Sequence, residues 1–251
     1  MKQLQFFLLS LLISTCLEAQ VNVRDSTARG VLFAVGASFQ QPDGDLAEKF
    51  GFSVDLSFDV WYKTRSHWLF GGGGSFFFGD DVRIGDQLVS GLVTSTNQML
   101  NLGGSYGDYK FFERGFSVQA EVGKIFPAFG HNANSGPVII LGGGYIQHRV
   151  RIENAGQDIP QLLNEYQRGY DRLSGGPMMR QFVGYFHAGG RRRINFLIGF
   201  DFIQAFTQDF RGYHYDTGEK VEGIQRDFLY GVRFIWFLPV YRGAPETYFY
   251  R

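Results

Sequence analysis

Between Phe52 and Val60 the chain alternates without a break. Phe52, Val54, Leu56, Phe58 and Val60 are large and apolar, while Ser53, Asp55, Ser57 and Asp59 are small or acidic. A two-residue period of this kind puts one face of a β-strand in an apolar medium and the other in a polar one. The same period returns at 116–122, 194–202 and 227–238, where Phe228, Tyr230, Val232, Phe234, Trp236 and Leu238 share a side. With less regular segments included, the pattern predicts eight strands: 31–40, 52–63, 68–78, 116–126, 138–151, 178–188, 194–208 and 227–238.

The connections narrow the architecture further. Links 64–67, 127–137 and 189–193 are short or moderate, whereas 41–51, 79–115, 152–177 and 209–226 are longer. Long and short links alternate along the whole chain. An up-and-down antiparallel barrel does this when one end carries tight turns and the other carries loops. A Greek-key sandwich has no reason to sort its connections in this way.

Alternation alone does not say which face is outside. A soluble barrel would turn a Lys- and Glu-rich face to water. Here the polar face is mostly small (Gly36, Ser38, Ser53, Ser57, Gly71, Gly73, Ser75, Ser117, Gly199, Gly231), and its charges are mainly acidic or Arg. Small residues with opposed charges suit a crowded bore, which leaves the bulky aromatic face toward lipid. Trp61, Tyr62, Trp68, Phe126 and Trp236, with Phe129 and Tyr241, are expected to form an interfacial girdle at the short-turn end. Phe39, Phe50, Phe76, Phe78, Phe112, Phe206, Phe210 and Phe228 are expected to form a second one at the loop end. The glycine runs 71–74 and 142–144 lack the Lys-Ser/Thr pair of a phosphate loop and belong to barrel walls that need close packing.

Formal net charge is zero, which gives no electrostatic case for nucleic acid. The single cysteine, Cys16, leaves no internal disulfide. The first residues have the form of an export signal: Lys2, an apolar stretch at 4–12, and a cleavage site after Ala19. A spanning helix needs about 20 apolar residues, more than this run supplies. The rival is lipidation of Cys16 in Ile13-Ser14-Thr15-Cys16, where Thr15 is a poor fit. The expected organisation is a signal peptide at 1–19, a periplasmic segment at 20–30, a barrel at 31–238 and an aromatic tail at 239–251.

Signal peptide, eight alternating strands, tight turns opposite long loops and terminal aromatics together resemble the small OmpA/OmpX-type outer-membrane β-barrels. The Phe/Tyr-rich strands and the Ala-Gln cleavage site are similar to those of Bacteroidota barrels. The resemblance is architectural and spans the chain after residue 20. It implies a bacterial outer-membrane location, and cell-envelope machinery such as secretion or gliding motility as a setting. Such barrels usually end on the last strand, whereas here Pro239 interrupts it and the chain continues to Tyr248-Phe249-Tyr250-Arg251.

For the bore, the expected charge network is Asp55, Asp59, Glu121 and Asp201 facing Arg149, Arg151, Arg180 and Arg233. An eight-stranded barrel is only wide enough for side chains to fill it, so this set is a structural plug before it is an ion path. None of the five histidines has metal-ligand spacing. His148, Ser174 and Ser90 name a lipid-active site without forming a triad in the sequence. Arg191-Arg192-Arg193 lies in a tight turn. Partner contact is expected through the loops, at Tyr166 and Tyr170, and through Tyr248, Phe249 and Tyr250 in the tail. The expected protein has no cofactor, no metal and no catalysis; it contacts outer-membrane lipid and works as an accessory or binding subunit. A narrow gated channel and a lipid-modifying enzyme are the two rival functions.

Overall fold

The computed structural model describes residues 27–96, 98–127, 132–154, 156, 159–189, 194–220 and 222–241. The export signal with Cys16, Phe129, His131, Arg191-Arg192-Arg193 and tail residues Tyr248, Phe249 and Tyr250 lie outside them. Eight strands close into one antiparallel barrel in sequence order: β1 (Gly30–Gly44), β2 (Ser53–Lys63), β3 (Trp68–Gly79), β4 (Tyr109–Ile125), β5 (Gly136–Asn154), β6 (Ser174–Ala188), β7 (Asn195–Asp209) and β8 (Gln225–Tyr241). β1 pairs with β8 from Gly30↔Tyr241 to Gly44↔Asp227, so the sheet has no free edge. Among the described residues, short helical pieces occur only in the loops: α1 (Asp45–Lys49), α2 (Gly85–Leu88), a 3-10 turn at Pro160–Leu162 and α3 (Asn164–Gln167). No helix among the described residues is long and apolar enough to cross a membrane.

Several strands run further than their alternation. β4 begins at Tyr109 although Phe111, Phe112, Glu113 and Arg114 break the two-residue period. At the loop end the barrel wall faces loop residues on one side and no hydrocarbon on the other, so neither face demands a consistent polarity. Pro239 sits inside β8, paired with Leu32. Pairing of β7 with β8 stops at Trp236, so beyond it β8 pairs only with β1, and the side toward β7 tolerates a missing N–H.

The direction of the side chains follows the pleat. On β2, Ser53, Asp55, Ser57, Asp59, Trp61 and Lys63 are buried inside. Leu56 and Phe58 are half exposed on the outer wall, as are Phe33, Val35, Phe70, Val118, Leu141, Val183, Ile198, Phe200 and Phe234 on other strands. A monomeric soluble protein does not carry a contiguous apolar belt around its whole circumference.

The glycine runs make room for the bore. Cross-strand register places Gly71 and Gly142 on either side of Glu121, and Gly73 and Gly144 on either side of Gln119. A Cβ on Gly144 would sit 1.9 Å from the Val118 carbonyl oxygen. Two long polar side chains can therefore point inward from β4 only because their neighbours carry none.

Candidate functional site

The interior is stacked in three storeys. At the turn end Leu32, Leu69, Ile125, Val138, Phe186, Leu197 and Phe237 form an apolar plug, with the Phe186 and Phe237 rings stacked at 4.5 Å. Asp55, Asp59, Glu121, Arg180, Asp201 and Arg233 lie above it, all nearly inaccessible to solvent. Above them Phe77, Ile146, Met178, Ile203 and Leu229 join a second apolar cluster contributed largely by the loops.

The middle storey is a paired network. Arg180 grips Asp201 with two nitrogens, at 2.9 Å from Nε and 2.5 Å from Nη2, and its Nη2 stands 3.9 Å from Asp55. Arg233 donates to Asp59 at 2.7 Å and Ser57 at 3.0 Å, and lies 3.7 Å from Glu121. Trp61 Nε1 donates to the other Glu121 oxygen at 2.8 Å. Two guanidiniums, on β6 and β8, thus serve four carboxyls on β2, β4 and β7, and these contacts knit the two halves of the barrel together. Buried charges survive only when paired and hydrogen-bonded in this way.

Two expected members of the network are elsewhere. Arg149 and Arg151 point outward from β5, and Arg151 pairs with Glu153 at 3.2 Å on the surface. Their strand carries apolar residues on both faces, since Val138, Ile140 and Ile146 fill the bore while Ile139 and Leu141 face out, and this masks its parity. Trp61 is a correction in the opposite sense. Its residue type points to the girdle, yet it shares the parity of Asp59 and is almost wholly buried beside Glu121. Tyr62, Trp68, Phe126 and Trp236 are exposed at the turn end, with Lys124 over the Trp68 ring at 4.9 Å. Phe50, expected in the loop-end girdle, is buried under the loops, edge-on to His148.

Further buried polar groups lie at the two ends of the bore. Lys63 donates to the Ala28 carbonyl at 2.9 Å and to Asn134 at 2.8 Å, which ties β2 to the segment before β1 and to the β4–β5 link. His148 Nε2 lies 2.9 Å from Asp227, which also accepts from Thr207 at 2.5 Å. Glu113 is buried nearby, with no hydrogen-bond partner for either carboxyl oxygen among the described residues. His148 is buried inside the barrel, and its pairing with Asp227, 79 positions away, has no local signal in the sequence. Ser174 is the cross-strand neighbour of His148, but its hydroxyl donates to the Arg172 carbonyl. Ser90 lies in the 80–108 loop and donates to Gln87. The lipid-active set therefore does not assemble.

The long loops fold down as a lid. Leu46 of α1, Leu88 of α2, Val89, Met99, Ile159, Leu162 and Tyr170 pack with Val150 and Ile152 into one cluster over the barrel mouth. Polar ties fix it: Arg211 holds Asp171 at 2.8 and 2.5 Å, Arg172 pairs with Asp216, and Lys49 donates to Gln225 at 2.5 Å. Burial pulls the Lys49 ammonium below the usual lysine range against the pull of Asp227 and Asp209, while the Asp171 hydrogen bond holds the Arg211 guanidinium above its ordinary value. Of the expected contact residues, Tyr166 is 66 % exposed, whereas Tyr170 is buried edge-on to Tyr215.

A closed eight-stranded antiparallel barrel with an apolar belt around its outer wall and a filled interior has the architecture of a barrel whose strands cross a membrane. Among solved structures the chain is similar to Neisserial surface protein A, with 12 % identity and a TM-score of 0.42 over 83 % of this chain and 97 % of that one. It is also similar to Ail of Yersinia pestis in complex with the heparin analogue sucrose octasulfate, with 9 % identity and a TM-score of 0.39 over 83 % of this chain and 99 % of that one. The N-terminal barrel domain of Pseudomonas aeruginosa OprF gives 8 % identity and a TM-score of 0.33 over 83 % and 99 %. No family model matches the chain, and no curated protein matches it.

Proposed function

We propose that this barrel is a non-catalytic accessory or binding subunit of a cell-envelope assembly, anchored by its wall and engaging protein partners through its lid. The observation that carries this reading is the lid itself. Its inner side is a packed core, yet its outer side leaves Leu102 78 % exposed, Ile224 64 % and Tyr106 60 %, with Leu100 and Tyr166 also open. Ordered loops with open apolar side chains on a rigid scaffold are suited to protein recognition. Against a channel stands the bore, filled by the turn-end plug, the paired charges and the lid core. Against catalysis stands His148, sealed beneath Phe50 and committed to Asp227.

Extraction in a mild detergent followed by affinity purification tests this reading. Co-purifying envelope proteins are expected, and they should be lost on Leu102→Asp with Tyr106→Asp while the barrel stays folded. A barrel that emerges alone under gentle conditions overturns the proposal. In planar bilayers no stable single-channel current is expected; a sizeable, reproducible one would replace the accessory reading with the channel.

A further inference from the structure

The two arginines that fail to enter the bore point to a second site. Arg114 on β4 and Arg149 on β5 are direct cross-strand partners on the outer wall, and Arg151 follows one outward position further up. Like charges set directly opposite each other destabilise a sheet. Arg114 donates to the Glu113 backbone carbonyl and lies over the Phe112 ring at 4.9 Å; Arg149 has no ion-pair partner among the described residues. The neighbouring carboxylates Glu153 and Asp171 are taken up by Arg151 and Arg211. Three guanidiniums therefore crowd one patch of wall, with the Glu153 carboxylate beside Arg151 as the one anion paired to any of them among the described residues.

Their height on the barrel decides what fits. One outward position below Arg114 and Arg149 lie Phe116 and Gln147, with Phe76 and Tyr145 beside them, and Val118 begins the hydrocarbon-facing band. The patch borders a groove on the outer wall lined by Phe76, Phe116, Gln147 and the three arginines. Aromatics at the lower rim and guanidiniums at the upper rim match the junction between acyl chain and headgroup. Arginine holds phosphate with two parallel N–H donors and is the side chain suited to that task.

We propose that Arg114, Arg149 and Arg151 bind a phosphorylated headgroup of an outer-leaflet lipid, with an acyl chain of the same molecule against Phe76 and Phe116. The site needs the barrel to sit in the membrane and is independent of the accessory role.

The test uses the full processed barrel in phosphatidylcholine nanodiscs doped with diphosphoryl lipid A, with bound lipid counted by native mass spectrometry. Wild-type protein should retain the diphosphoryl lipid at least about tenfold better than the same lipid enzymatically stripped of phosphate, the loss of one or two charge-assisted contacts. Arg114→Gln with Arg149→Gln should lose that preference, and the Lys replacements should keep part of it. Inorganic phosphate at millimolar concentration should not displace the lipid. Equal retention of phosphorylated and stripped lipid overturns the proposal, and that comparison needs no variant to fold. A double Gln variant that folds and keeps the preference overturns it, as does displacement by inorganic phosphate, which would indicate a site for a free anion.

Discussion

Replacing Arg180 by Met should cost about 3–5 kcal/mol of barrel stability, because it strands Asp201 as an uncompensated buried charge and removes the cation nearest Asp55. The penalty arises from the carboxylates left behind more than from the lost contact. Replacing Asp201 by Leu in the same chain should restore most of it, since an apolar pair of similar volume is often as stable as a buried ion pair. The urea midpoint for loss of the compact band on unboiled gels reads both variants. Equal midpoints for wild type and Arg180→Met would show that the middle storey is hydrated and does not hold the strands together.

The second large effect concerns the outer wall. Phe58 lies halfway along β2, half exposed between Leu56 and Val60. Phe58→Arg should destabilise the barrel in bilayers by about 2–4 kcal/mol, the cost of placing arginine near the midplane of the lipid face. The sign is diagnostic. On a water-facing strand the same change would be nearly neutral and would improve solubility. Equilibrium unfolding in phospholipid vesicles measures it, and a neutral outcome would mean that position 58 does not touch hydrocarbon.

Strand number, their order and the direction of each face could be read from the sequence wherever one face meets lipid and the other a polar bore. β2 shows this best, since Asp55 and Asp59 alternate with Leu56 and Phe58 along its length. The signal failed where the bore itself is apolar. On β5 the turn-end plug takes Val138 and Ile140 while lipid takes Ile139 and Leu141, so polarity no longer marks the face and only charge suggests a bore position for Arg149 and Arg151, which point outward. At Trp61 residue type and parity conflict: a tryptophan near a strand end suggests the girdle, whereas the alternation with Asp59 points inward, and parity wins. The network's pairings and the lid core were out of reach for a different reason. Contacts such as Arg233 with Asp59, 174 positions apart, and Leu46 with Tyr170 in one cluster, depend on closure of the barrel and on loop folding. No local pattern encodes them.

The central claim is that the bulky apolar side chains contact hydrocarbon while the small and ionised ones fill the bore. Methyl-labelled protein in lipid nanodiscs tests it most directly, through cross-relaxation between acyl-chain methylene protons and assigned side-chain methyls. Leu56, Val118, Leu141 and Val183 should show strong lipid cross-peaks, and Ile140, Leu197 and Ile235 should show none. Lipid contacts on the second set, or water contacts in place of lipid on the first, would contradict the assignment and the membrane role built on it.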